Sequence, residues 1–316
     1  MSIELLIGPP ASGKTETCIN RILEAQTRHP LSQIWVLVPD SQNIAFFRKR
    51  LANSGGGFGV NIGTFSIMFG DLLERNNVFT PVMTSALEHR IVQDTIDLAY
   101  SENKLIHYAT IRSKPGFIQT MGNVFSELRS AYISPETFLS YTDNSSPTRR
   151  ELAILYDIFI TRLHKLGWID RDGQIWQAIS SLENNPNAAT HIHMIIVDGF
   201  SAFAGARQHF LKLLSEQVDQ MLITMPGQRH SKRPVHRGTA NEIEKLIEIL
   251  SPTLVETETE PQLCYESQYL EKYVLKPGEH EKKEVSAPIL LETHSQSCEA
   301  REALRWVKSL VLREHI

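Results

Sequence analysis

The chain has 316 residues, of which 41% are hydrophobic, enough for about two domains with buried cores. Its 32 Lys and Arg residues and 36 Asp and Glu residues give a net charge of −4, which excludes a uniformly basic nucleic-acid coat but permits a local basic groove. No apolar run approaches the ~18–20 residues that a membrane helix needs. We therefore expect a soluble, cytoplasmic protein that does not enter a membrane.

The start of the chain predicts a strand, a loop, a helix and a second strand. Ile3–Ile7 is a short apolar run, and the loop Gly8–Thr15 that follows is rich in Gly, Pro and Ser. Apolar residues then recur at helical spacing from Glu16 to Thr27, before a second apolar run, Ile34–Val38. Apolar runs without alternation are typical of strands buried on both faces, so we predict a parallel α/β sheet flanked by helices.

Composition divides the rest of the chain into segments. The strand-and-helix pattern continues to about residue 80, a helical pattern follows, and a buried-type strand appears at Met194–Val197. The sequence therefore predicts an α/β domain from residues 1–80 and 187–287, interrupted by an all-helical insertion at 81–186. Residues 288–316 are predicted to begin a further, truncated domain.

A phosphate-binding motif lies between the first predicted strand and helix. The motif G-x-x-x-x-G-K-[ST] is formed by Gly8, Pro9, Pro10, Ala11, Ser12, Gly13, Lys14 and Thr15. Glycines let such a loop turn its backbone N–H groups toward phosphate, and the helix N-terminus adds partial positive charge. We predict that these residues and the adjacent Glu16 bind ATP, with Lys14 on the β- and γ-phosphates.

A second element of the sequence supplies a carboxylate. Three aliphatic residues end at Asp198, where a parallel strand would deliver it to the ligand edge of the sheet. Thr15 and Asp198 are therefore predicted to hold Mg²⁺ with the nucleotide. Many ATPases place a glutamate directly after this aspartate as general base, but here the position is Gly199, and no acid follows until Glu216. We assign no catalytic residue and predict binding with little or no turnover.

With these motifs, the chain resembles the N-terminal part of the AddB chain of bacterial AddAB helicase–nucleases. The likeness rests on the phosphate loop, Val60–Ser66, Asp198-Gly199-Phe200 and the helical insertion. The resemblance implies a RecA-like, superfamily 1 helicase module with a degenerate ATPase site, acting in double-strand-break repair and recombination. It also implies an active helicase–nuclease partner of the AddA type, and single-stranded or duplex-end DNA as substrate.

The resemblance further implies a DNA-binding face. On this likeness, single-stranded DNA contacts Ser41, Gln42, Thr64, Phe65 and Ser66, through phosphate contacts and stacking of a base on the Phe65 ring. From the residues alone, ordinary helix caps and a core phenylalanine explain these positions equally well.

Two departures and two alternatives qualify this interpretation. No glutamine segment that would read adenine precedes Ile3, and residues 288–316 would only begin the second RecA-like domain, so we expect an N-terminal fragment of a longer protein. The phosphate loop also resembles that of a small-molecule nucleotide kinase, yet Arg149-Arg150 is the only arginine pair in the helical segment, where such a kinase needs an arginine-rich lid. An active ATPase that takes its base from elsewhere is the other alternative.

Overall fold

The computed structural model describes residues 2–142, 145–227, 229, 236–257, 267 and 291–314. The chain divides into two compact units, residues 1–260 and residues 261–316. The first unit contains a six-stranded sheet in which all strands are parallel, in the order β3-β2-β4-β5-β1-β6. The strands are β1 (Ser2–Gly8), β2 (Gln33–Leu37), β3 (Val60–Gly63), β4 (Ile192–Val197), β5 (Gln220–Pro226) and β6 (Thr253–Glu256).

Eleven helices are present in the described residues. Those of the first unit are α1 (Lys14–Arg28), α2 (Ser41–Asn53), α3 (Phe65–Arg75), α4 (Ser85–Ser101), α5 (Pro115–Ser130), α6 (Pro135–Thr142), α7 (Pro147–Leu166), α8 (Arg171–Asn184), α9 (Gly205–Ser215) and α10 (Arg237–Leu250). The second unit contains α11 (Gln296–Glu314). No helix in the described ranges combines the length and the apolarity of a bilayer span.

Strands β1, β2, β4 and β5 are buried on both faces, because side chains alternate along each strand and helices pack on both sides of the sheet. In β1, Leu6 belongs to a core cluster with buried residues of α1 and α2. Its neighbours Leu5 and Ile7 belong to a second cluster, which includes residues of α3, α8, α9 and α10. The predicted α/β class is therefore confirmed, and the parallel sheet with helices on both faces is consistent with the RecA-like fold.

The predicted helical insertion is also present, as five helices, α4–α8, between β3 and β4. Helices α4, α5 and α7 supply most of a separate core cluster. The last helix, α8, instead buries Ile175, Ile179 and Leu182 in the core of the sheet. The residue boundaries of the domains stay a prediction, and the predicted boundary between residues 287 and 288 lies outside the described residues.

Candidate nucleotide site and DNA-facing edge

The predicted phosphate loop joins the carboxyl end of β1 to the amino end of α1. Gly13 caps α1 with a φ of +82°, and Ala11 has a φ of +59°. The loop therefore turns twice through the left-handed region, and it encloses Ser12, which is 1% exposed. This conformation sets the backbone N–H groups of Ala11, Ser12 and Gly13 at the amino end of the 15-residue helix α1, where these donors and the helix dipole favour an anion.

Lys14 folds back over the loop. Its Nζ donates to the carbonyl oxygens of Gly8, at 2.8 Å, and of Pro9, at 2.6 Å. Burial lowers the pKa of Lys14, and attraction to Asp198 opposes the shift. The ammonium thus occupies the loop and is held by backbone acceptors that a phosphate can replace.

Asp198 joins the phosphate loop to the middle of the sheet. Its Oδ2 accepts a hydrogen bond from Thr15 Oγ1 at 2.9 Å, and its Oδ1 accepts one from Thr224 Oγ1 at 2.6 Å. Asp198 is 7% exposed, so both of its oxygens lie in a protected setting. The two residues that the sequence predicted to hold Mg²⁺, Thr15 and Asp198, are therefore in direct contact.

Gly199 follows Asp198 in a conformation that suits glycine. Its φ is +86°, and a Cβ built on it would lie 3.3 Å from Cδ of Pro39, in the loop after β2. Most side chains avoid this region of φ, so the position where many ATPases carry a glutamate favours glycine on backbone grounds as well.

Asp40, at the end of the loop after β2, is not placed to act as general base instead of the glutamate that is missing at Gly199. Asp40 caps α2, with Oδ1 accepting from Asn43 N at 2.9 Å and Oδ2 accepting from Asn43 Nδ2 at 3.0 Å. These hydrogen bonds lower the pKa of Asp40, led by the bond from the Asn43 backbone. A carboxylate with a lowered pKa and two occupied oxygens is a poor acceptor for a proton from water.

The polar residues of the predicted DNA-binding face lie at the same edge of the sheet as the phosphate loop. Ser41 and Gln42 form the first turn of α2 after β2, and both are exposed. Thr64 precedes α3, after β3, and the exposed Ser66 lies in the first turn of that helix. Carboxyl ends of parallel strands meet at one edge, which explains why residues distant in sequence share this face.

Phe65 does not fit the stacking role predicted for it. The side chain is 3% exposed and contacts three other phenylalanine rings edge-on, with centroids at 5.3 Å for Phe200 and 6.3 Å for both Phe203 and Phe210. A ring enclosed in this way has no free face for a base. The α3 helix turns Phe65 into the core and its neighbour Ser66 outward, so the stacking prediction is corrected to a core role.

Comparison with known families decides what the chain is. A family model described as ADDB, N-terminal matches residues 5–276, more than half of the 316-residue chain. The chain belongs to the AddB N-terminal family. This confirms the resemblance inferred from the phosphate loop and the Asp198-Gly199-Phe200 sequence.

Curated relatives of this AddB-family chain are named as the B chain of an ATP-dependent helicase/deoxyribonuclease. The protein from Clostridium botulinum is 25% identical over 240 residues, which cover 71% of this chain and 20% of the relative. The one from Exiguobacterium sibiricum is 22% identical, covering 68% of this chain and 19% of the relative. For Acetivibrio thermocellus the identity is 21%, with 99% of this chain and 29% of the relative covered. The chain thus spans 19–29% of the length of these relatives.

The sequence analysis did not predict a role for Thr224, which contacts Asp198 in this AddB-family chain. This threonine lies on β5, which separates β4 from β1 in the sheet. Its hydroxyl donates to Asp198 and accepts from Gly199 N at 3.4 Å. The available signal was a polar residue inside the apolar strand Gln220–Pro226, since a buried hydroxyl in such a strand needs a partner.

The backbone at Gly199 leads to a prediction on stability. Gly199→Ala should lower the free energy of unfolding by about 1–2 kcal/mol, because alanine is strained at positive φ. The matched control is Gly70→Ala in α3, where a Cβ meets nothing within 4 Å and the change should be neutral or stabilising. Urea denaturation of the three proteins measures both effects. Equal stability of Gly199→Ala and the parent would contradict this account of the loop.

Proposed function

We propose that this AddB-family chain is the nucleotide-binding, helicase-like N-terminal module of a helicase–nuclease component that serves double-strand-break repair and recombination. The family match and the names of the relatives, which call them parts of an ATP-dependent helicase/deoxyribonuclease, support this assignment. The module binds ATP and single-stranded or duplex-end DNA and turns over little or no nucleotide. The helicase names of these relatives give the small-molecule kinase alternative no support.

The residues around the phosphate loop fit ATP with Mg²⁺. Lys14 and the backbone N–H groups of Ala11, Ser12 and Gly13 would hold the phosphates, since Pro9 and Pro10 have no N–H to donate. Thr15 and Asp198, whose oxygens are 2.9 Å apart, would hold Mg²⁺. Mg²⁺ keeps most of its water ligands and needs only one or two protein oxygens beside the phosphates. No cluster of three or more His, Cys, Asp or Glu side chains suited to a metal occurs among the described residues. When bound, the ion would neutralise phosphate charge.

The observation that carries the proposal of slow turnover is the pairing of an intact phosphate loop with Gly199. A general base contributes about 10²–10⁴-fold to such reactions, and Gly199 has no side chain to act as one. The nearby Asp40 is engaged in capping α2. The site can therefore bind and orient a nucleotide without activating the attacking water.

Titration calorimetry on the 316-residue chain tests this function. Mg²⁺-ATP and a non-hydrolysable analogue should bind with similar affinity, and phosphate release should stay far below one turnover per second with or without single-stranded DNA. Gly199→Glu should not restore turnover, because a φ of +86° at this position disfavours a glutamate in the present chain path. A DNA-stimulated rate of several turnovers per second would refute the proposal of slow turnover. A chain that does not bind Mg²⁺-ATP would refute the proposal of nucleotide binding.

For DNA, we propose that Ser41, Gln42, Thr64 and Ser66 contact the phosphates of a single strand. Such binding should be weak and should fall steeply with salt, because in a chain of net charge −4 only local basic groups can neutralise phosphates and displace counterions. The double variant Ser41→Ala/Gln42→Ala should lose about three- to tenfold in affinity through its missing hydrogen bonds.

Fluorescence anisotropy with a labelled oligothymidine at several salt concentrations measures the DNA prediction. Ser101→Ala/Gln119→Ala is the matched control, since it removes the same groups from exposed positions in the helical insertion. Equal losses in the two double variants would contradict the proposed face.

Partner and location follow from the same proposal. The relatives are named as one component of a larger enzyme, which implies a further chain. We propose that this chain is an active helicase–nuclease of the AddA type, with which the module would process DNA in the cytoplasm. Co-purification of the two chains from cells that express both is the direct test.

A further inference from the structure

The end of strand β6 lies against the phosphate loop. Thr257 directly follows β6, and its backbone N–H donates to the carbonyl oxygen of Ile7 in β1 at 2.9 Å. This hydrogen bond continues the ladder between β6 and β1 by one residue beyond the pair Ile7 and Glu256. The side chain of Thr257 is thereby held beside Gly8, the first residue of the phosphate loop.

Thr257 approaches Gly8 so closely that only glycine fits there. A Cβ built on Gly8 would lie 2.1 Å from Thr257 Oγ1 and 2.5 Å from Ser12 Oγ. The Lys14 ammonium also lies in this corner, donating to the Gly8 carbonyl at 2.8 Å and lying 3.5 Å from Ser12 Oγ. Two hydroxyls and one ammonium group therefore converge on the same end of the loop.

The hydroxyl of Thr257 has no partner within the described residues. Its Oγ1 is buried, and no hydrogen-bond donor or acceptor pairs with it there. Leaving a buried hydroxyl unpaired is unfavourable, and native proteins usually satisfy such a group with protein, water or ligand. The neighbouring hydroxyls of Thr15 and Thr224, by contrast, both donate to Asp198.

We propose that Thr257 is a nucleotide-binding residue whose hydroxyl donates to an oxygen of the terminal phosphate of a nucleoside triphosphate. The inference rests on the proposed nucleotide function and adds a residue to that site. The lysine of this motif reaches the β- and γ-phosphates, so the corner that Lys14 occupies is the triphosphate end of the site. A bound phosphate would replace the Gly8 and Pro9 carbonyls as the partner of the Lys14 ammonium. Its oxygens would then lie beside the unpaired hydroxyl of Thr257.

This placement makes Thr257 a determinant of triphosphate over diphosphate binding. A diphosphate lacks the group that the hydroxyl contacts, whereas the loop backbone and Lys14 serve both ligands. The contact also couples the edge strand β6 to nucleotide binding, since β6 pairs only with β1 among the described strands.

The test compares Thr257→Val with Thr257→Ser and with Thr253→Val, a matched control at the exposed start of the same strand. Calorimetry of the 316-residue chain with Mg²⁺ uses a non-hydrolysable ATP analogue and ADP as probes. Thr257→Val should weaken the triphosphate analogue about tenfold, the usual size for one hydrogen bond to a charged group, and change ADP binding less than about twofold. Thr257→Ser and Thr253→Val should bind both ligands like the parent.

The unliganded proteins supply a second measurement. Because Thr257→Val removes an unpaired hydroxyl, its melting temperature without nucleotide should equal or exceed that of the parent. Unchanged affinity for the triphosphate analogue, or equal losses for both ligands with a lower melting temperature, would overturn the proposal. A parent chain that binds neither ligand would instead overturn the proposed function itself, before any variant is compared.

Discussion

Lys14→Ala should reduce the affinity for Mg²⁺-ATP by at least about a hundredfold, because it removes two charge-assisted hydrogen bonds to phosphate. The Lys14 ammonium already makes two short hydrogen bonds to backbone oxygens of the loop, at 2.8 and 2.6 Å, so it is positioned where phosphate must enter. Titration calorimetry with ATP and with a non-hydrolysable analogue measures the loss, which should be the same for both.

Lys49→Ala provides the matched control for Lys14. Lys49 is an exposed lysine on α2, so its removal changes net charge equally without touching the loop. Its affinity for ATP should equal that of the parent. If the Lys14 variant binds as tightly as the Lys49 variant, the phosphate loop is not the nucleotide site.

The second large effect is on stability: Phe65→Ala should lower the free energy of unfolding by about 3–5 kcal/mol, as expected for a phenylalanine removed from a core. The ring is 3% exposed and lies beside Phe69, Phe200 and Phe210. Truncation leaves a cavity among these rings that the surrounding helices cannot close. Urea denaturation followed by circular dichroism measures the change.

Phe46→Ala is the control for Phe65, since Phe46 is 55% exposed on α2 and should tolerate truncation with a change of about 0.5 kcal/mol or less. The pair also separates the two roles considered for Phe65. A Phe65→Ala protein that keeps its stability but loses affinity for single-stranded DNA would restore the stacking role and contradict the core assignment.

Local patterns predict those elements of the candidate site that are continuous in sequence. The phosphate loop runs from Gly8 to Thr15, and both of its flanking elements follow from periodicity. Asp198 was predicted for the same reason, because an aliphatic run ends at it. In each case the residues that define the feature are neighbours along the chain, so their spacing carries the information.

The contacts that the sequence did not reveal depend on strand order and helix rotation. Thr224 meets Asp198 because β5 lies between β4 and β1, and Thr257 meets Gly8 because β6 lies on the other side of β1. No local pattern specifies which parallel strands become neighbours. The resemblance places Phe65 against DNA, whereas the residues alone leave a core role equally open. Its position at the start of α3 does not reveal the rotation of that helix about its axis, which decides between the two.

The conformation of Gly199 also bears on how such a site evolves. Glycine and glutamate codons can differ by a single base, so mutation offers the missing acid often. A φ of +86° disfavours glutamate at position 199 whatever its effect on hydrolysis. The same backbone conformation tolerates asparagine and aspartate better than other side chains. Under the proposed function, a chain with this loop would need a change in backbone path as well as in the side chain to gain hydrolysis. The slow turnover that we propose would then be easier to acquire than to reverse.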